Sequence, residues 1–177
     1  MTEFDARVRR VRTDQWTAPT PCAEWTVHDL VNHLVHEQLW APELLAGCTV
    51  DQVGDRFDGD QLGDDPVHSW VLAAAAAREA WISPTALLRT VHLSAGKAPA
   101  PEYGWQMTLD LAVHAWDLAR AIGVDERLDP DLAGTVLDYV DGHTGELADS
   151  GLFDDPVPVA DDVDPQGRLL ALLGRAP

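Results

Sequence analysis

Two segments of the chain carry side chains able to hold a divalent ion. In one, Asp110 and His114 stand four residues apart, the spacing that stacks a carboxylate above an imidazole on a single helix face. In the other, His28, His33 and His36 fall close together, with Glu37 beside the last of them. Projected at about 100° per residue, the segment from Val27 to Leu45 gathers Val27, Leu30, Val31, Leu34, Ala41 and Leu45 into one apolar stripe. His33, Glu37, Trp40 and Leu44 line one edge of that stripe, His36 points to the far side, and His28 lies off the opposite edge. His33 is therefore the histidine aimed partly inward. The same projection of residues 103–121 puts Asp110 and His114 inside a stripe of Tyr103, Met107, Leu111, Leu118 and Ala121, flanked by Gln106 and Asp117. Charged groups among apolar neighbours are costly unless paired or metal-bound. A buried Asp–His hydrogen bond is the ordinary reading of that pair alone. A third candidate, His33, on a second amphipathic helix strengthens the metal reading, because bundle cores build ion sites from facing helices.

Other residues carry less. Asp55 to Asp65 is acidic, but Asp55-Arg56-Phe57-Asp58-Gly59-Asp60 lacks the alternating acids and closing Glu of a calcium loop. Cys22 precedes a helix start, which can depress a thiol pKa; packing as a small buried residue is the plainer expectation. Trp40 shares an edge with His33 and can wall an apolar pocket. His68, His92 and His143 have no partner at useful spacing, and Ser94 has no apparent His–Asp companions.

Helices must position these groups. A first helix is expected over Glu3 to Val11. Two prolines in Pro19-Thr20-Pro21-Cys22 break the chain before the second. Thr26 caps that helix, Asp29 answers it, Trp25 and Leu30 staple it, and Gly47 stops it. A Gly/Asp-rich loop over 53–65 leads to a third helix from Pro66 through Ile82, whose Ala73 to Ala77 run allows close approach by a neighbour. Thr90 to Ser94 lies between Pro84 and Pro99 and is expected to be irregular. A fourth helix runs from near Pro101 to Ile122, a fifth from Pro130 is weakened by Gly134, Gly142 and Gly145, and an extended segment over 154–163 precedes a short last helix from Pro165. The expected fold class is all-α, a four-helix bundle with extra short helices and an extended C-terminal segment, forming a single domain over residues 1–177.

Composition narrows the function. The 177 residues hold 30 acids against 12 Lys and Arg, a formal charge of -18. No basic stripe exists for phosphate contacts, so nucleic acid is not an expected partner. Anionic membrane surfaces are disfavoured too, and no run approaches the roughly 18 apolar residues of a membrane span. Residues 1–12 lack the apolar core of a secretory signal, and two cysteines make no disulfide framework. The expected setting is cytoplasmic.

The segments Trp25-Thr26-Val27-His28-Asp29-Leu30-Val31-Asn32-His33 and Asp110-Leu111-Ala112-Val113-His114-Ala115-Trp116-Asp117, with the preceding Pro19-Thr20-Pro21-Cys22, resemble the mycothiol-dependent maleylpyruvate isomerase type of metal-binding domain in the DinB/YfiT-like superfamily. The resemblance spans nearly the whole chain, and Arg56 to Asp60 is similar to one subgroup of it. It implies a DinB/YfiT-like four-helix bundle holding a divalent ion through His33, Asp110 and His114. The isomerases carry Glu where this chain has Asp110, and the shorter side chain draws an ion nearer that helix. Two imidazoles and one carboxylate leave an open position on Zn²⁺, and Ni²⁺ accepts the same set. The resemblance further implies a low-molecular-weight, mycothiol-like thiol as cosubstrate, attacking a small-molecule electrophile by S-transfer or isomerisation. Glu37 is the candidate proton acceptor, and Asp117 or Gln106 the candidate orienting group. A metal-containing module that binds without turnover and a thiol-independent metallohydrolase remain open alternatives. The relatives imply a homodimer, for which the Ala-rich third helix is available.

Overall fold

The structure, a computed structural model, describes the backbone of residues 1–177 and every side chain other than that of Asp149. The chain is mostly helical, with 59% of its residues in helices and one two-stranded sheet among the described residues. In order it forms α1 (Thr2–Val8), α2 (Val27–Ala46), α3 (Val50–Val53), α4 (Pro66–Trp81), β1 (Thr90–Leu93), β2 (Gly96–Pro99), α5 (Ala100–Ile122), α6 (Pro130–Ser150) and α7 (Pro165–Leu172).

The ends of α2 follow from local chemistry. Thr26 accepts from the Asp29 amide while the Asp29 carboxylate accepts from the Thr26 amide, so two N-terminal donors are satisfied reciprocally. At the other end Gly47 adopts φ 97°, a left-handed conformation that a side chain would oppose. Gly123 ends α5 in the same way at φ 69°. The apolar stripe of α2 is fully used: Val27, Leu30, Val31, Leu34 and Ala41 are all 0% exposed. Against it lie α4, through buried Ala73, Ala74 and Ala77, and α5. Those small side chains face α2, so the close neighbour of the Ala-rich helix lies within the chain. α5 also packs on α1, and α6 packs on α7. Gln38, in the middle of the α2 stripe, is completely buried, and neither end of its amide has a hydrogen-bond partner among the described residues.

Four local expectations are corrected. α1 ends at Val8 rather than Val11. Thr49 and Gln52 form a capping box that starts the single helical turn α3 ahead of the acidic loop. Thr90 to Leu93 is a strand, paired antiparallel with β2 in the register Thr90↔Pro99 to Leu93↔Gly96. Pro99 terminates the hairpin rather than interrupting it, a position that proline tolerates. Finally, α6 persists through its glycines to Ser150 but breaks its helical geometry at His143, φ -128°. The segment after α6 is irregular, as expected, and returns to α7 through the Val157 amide on the Ala171 carbonyl at 2.9 Å.

Candidate metal centre

α2 and α5 pack together, and their facing edges bring His33 opposite Asp110 and His114. His33 Nε2 lies 3.3 Å from Asp110 Oδ2, and His114 Nε2 lies 3.2 Å from Asp110 Oδ1. The three ligand atoms all fall within 4.8 Å of one another. The imidazoles meet edge to face with centroids 5.3 Å apart, and the Trp25 ring covers both, 5.0 Å from His33 and 5.8 Å from His114. His114 is buried, whereas the side chains of His33 and Asp110 keep 30% and 27% exposure, so the cluster opens on one side. A donor set of two imidazoles and one carboxylate fits a divalent ion, because all three can present lone pairs to one point.

Without an ion the cluster holds protons. Burial alone would raise the Asp110 pKa. The His114 charge and the hydrogen bonds from His114 and His33 outweigh burial and hold Asp110 well below the usual carboxylate range. Burial disfavours the His114 cation, yet Asp110, Asp117 and Cys22 together carry its pKa well above 6.5. Glu37, half-buried on the α2 edge, has its pKa raised first by burial and then by the Asp110 charge. Tyr103 is pushed up by burial and by the Glu37 charge, and its buried hydroxyl has no partner among the described residues. Glu37 and Tyr103 thus sense the same corner of the molecule.

The other candidates sort by what surrounds them. Asp117 is 0% exposed, and its Oδ2 accepts from His114 Nδ1 at 2.9 Å. Gln106, by contrast, is exposed and donates to Glu102 Oε1 at 3.4 Å, away from the cluster. His36, on the far side of the α2 stripe, is half-buried all the same. It accepts from Trp40 Nε1 at 3.0 Å, and burial lowers its pKa. Trp40 closes edge-on against Phe57, with centroids 6.1 Å apart. His28 lies 3.5 Å from Asp60 on the acidic loop. That loop is tied to α2 by Asn32, whose amide donates to the Gly59 carbonyl at 3.0 Å and whose Oδ1 accepts from the Gln61 amide at 2.7 Å.

Two contributors escape sequence reasoning. Cys22 is not inertly packed: its thiol donates to Asp117 Oδ2 at 3.2 Å and lies 3.6 Å from His114 Nδ1. The loop that carries it turns at Glu24, φ 66°, and is closed by the Thr20 amide on the Trp25 carbonyl at 3.0 Å. This turn sets Cys22 and Trp25 against the cluster together. The signal was present in Pro19-Thr20-Pro21-Cys22, whose prolines forbid helix. Arg175 is the second, with Nη2 3.1 Å from Asp117 Oδ2. Cys22, His114 and Asp117 also lie within ligand range of one another. The guanidinium already neutralises that group, so the His33, Asp110 and His114 set is the better cation site.

Residues 1–119 match the sequence profile of a family described as the mycothiol maleylpyruvate isomerase N-terminal domain. Two proteins of Mycobacterium tuberculosis, each named as an uncharacterized protein (MT0763 and Rv0738), are 34% identical over 178 residues, covering 97% of this chain and 91% of theirs. No solved structure matches. Among the described residues no helix is long and apolar enough to cross a membrane.

Proposed function

The chain belongs to the mycothiol maleylpyruvate isomerase N-terminal domain family, and from that premise we propose that it is a metal-binding domain with a DinB/YfiT-like four-helix bundle that activates a low-molecular-weight thiol toward a small electrophile. The observation that carries this reading is the approach of one imidazole from α2 to a carboxylate and an imidazole from α5, with ligand atoms within 4.8 Å. His33, Asp110 and His114 would hold Zn²⁺ or Ni²⁺. A divalent ion there supplies Lewis acidity, which lowers the pKa of a coordinated thiol or water. Glu37 accepts the released proton, a role its raised pKa suits because a base works best near the operating pH. Asp117 keeps the His114 ring oriented, and Trp25 excludes water from one side of the imidazoles. The natural substrate is a small molecule, handled in the cytoplasm.

The test is elemental analysis of protein purified without chelators or affinity metal, beside the variants His33→Ala, Asp110→Ala and His114→Ala. The wild type should carry one ion per chain and each variant much less; full retention in all three refutes the assignment. Metal-loaded protein is then incubated with model electrophiles and a panel of small thiols. Turnover that needs both metal and thiol supports the enzyme. Turnover without thiol identifies a hydrolase, and tight binding without product identifies a binding module.

A further inference from the structure

We propose that Arg175, carried by the C-terminal turn after α7, is a positioning residue for the metal centre: it holds Asp117 in place, and Asp117 fixes the ring of His114. The inference rests on the ligand reading of His33, Asp110 and His114. A histidine that offers Nε2 to an ion must keep its proton on Nδ1, and the acceptor facing Nδ1 sets the tautomer and the ring plane. Here that acceptor is Asp117 Oδ2, at 2.9 Å. A carboxylate at 0% exposure is expensive to keep ionised unless a cation and other donors surround it. Arg175 supplies the cation, with Nη2 3.1 Å from Oδ2 and Nε 3.4 Å from Oδ1. The two contacts grip both carboxylate oxygens, which a single ammonium point charge does not reproduce. The Cys22 thiol adds a third donor at 3.2 Å.

Arg175 is delivered by a built turn rather than by a loose tail. Its amide donates to the Leu170 carbonyl at 2.9 Å, its Nη1 donates to the Leu173 carbonyl at 2.9 Å, and its guanidinium lies over the Phe153 ring. Gly174 makes the approach feasible. It has φ 79°, and a Cβ there would sit 2.5 Å from Asp154 Cβ and 2.9 Å from the Asp154 carbonyl oxygen. The segment between α6 and α7 and the chain's last turn therefore interlock, and the result is one guanidinium beneath the metal-ligating helix. Residues 151–177 on this account complete a centre whose ligands all lie on α2 and α5.

The test uses full-length protein, Zn²⁺ and Co²⁺ as probes, and the variants Arg175→Met, Arg175→Lys and Gly174→Ala, with Arg168→Met as a surface control. Zn²⁺ affinity is measured by chelator competition, and ring geometry by the visible spectrum of the Co²⁺-loaded protein. Arg175→Met should weaken Zn²⁺ binding by about 10-fold, the low end of the cost of losing a ligand's own outer partner, because Arg175 acts through Asp117, and should shift the Co²⁺ bands. Arg175→Lys should recover part of the affinity, Gly174→Ala should resemble Arg175→Met, and the control should match wild type. Should Arg175→Met lose its far-ultraviolet helical signal, Arg175→Lys carries the test, since it keeps the charge and loses the two-oxygen grip. Wild-type affinity and spectrum in both Arg175 variants overturn the proposal while leaving the metal reading intact. Failure of the wild type itself to take up Zn²⁺ overturns the metal reading, and the positioning role with it.

Discussion

In the metal-free protein both ring nitrogens of His114 face carboxylate oxygens, Asp110 at 3.2 Å and Asp117 at 2.9 Å. Oxygens that only accept require a proton on each nitrogen, so the ring is an imidazolium, and its pKa lies well above 6.5 despite burial. A raised folded pKa contributes stability that is complete below the unfolded value of 6.5 and is lost as pH climbs through the folded value. Asp110, with its pKa depressed, contributes stability that is present above 3.8 and lost as pH falls through its folded value. The pair therefore helps the metal-free protein most between pH 3.8 and 6.5. Above that window His114 keeps a proton that the unfolded chain has lost, which lowers stability by at most about 1.4 kcal/mol per pH unit, while the Met1 amine, its pKa lowered from 8.0 by burial, works in the opposite sense over the same range. His36 works in the opposite sense, but its lowered pKa confines its effect to pH below 6.5. With Zn²⁺ bound the imidazoles are neutral, as they are in the unfolded chain above pH 6.5, and the His114 contribution disappears. Metal binding must then release the His114 proton, so that affinity rises with pH, by at most about tenfold per unit, until His114 has titrated. Urea unfolding from pH 6 to 8, with EDTA or with Zn²⁺, measures both slopes, and calorimetry in buffers of different ionisation enthalpy counts the proton. His114→Ala should remove the fall in metal-free stability with rising pH and leave the opposing Met1 contribution. A metal-free pH dependence above 6.5 that His114→Ala leaves unchanged, with no proton released on binding, refutes the reasoning.

Glu37→Gln should keep the bound ion and lower thiol-dependent turnover by about 100-fold or more, the usual loss for a missing general base; unchanged turnover removes Glu37 from the chemistry. Gln38→Met replaces an unpaired buried amide with an apolar side chain of similar size. It should raise unfolding stability by about 1–2 kcal/mol, read in urea, and a loss would show that the amide is satisfied in solution. Thr26→Ala removes one half of the α2 capping box and should cost about 1 kcal/mol in the same assay. Leu34→Ala opens a cavity at a 0% exposed core position and should cost about 2–5 kcal/mol.

Much of the candidate site was legible because helix geometry is local. Once Thr26 and Gly47 delimit α2, a rotation of about 100° per residue decides which side chains face inward, and His33 follows from its offset to Leu30 and Leu34. The same arithmetic stacks Asp110 on His114. It ranked Gln106 and Asp117 alike as flanking groups, since an angle says which way a residue points and not what stands opposite. Glu102 claims Gln106 at the surface, whereas His114 and Arg175 claim Asp117 in the interior. Thr90 to Leu93 is not recognisable as a strand on its own because a strand is defined by its partner, and Gly96 to Pro99 carries little strand character.

Sequence alone determined the long helices, the Thr26 and Gly47 ends of α2, the buried faces and the residues able to do chemistry, since each depends on neighbours within a few positions along the chain. Tertiary structure decided which of those faces meet. It set Cys22 and Arg175 around Asp117 across 95 and 58 residues, and it thereby chose which of two overlapping donor clusters is left without a cation of its own. Contacts at such separations are selected by the packing of the whole core, and no local periodicity encodes them.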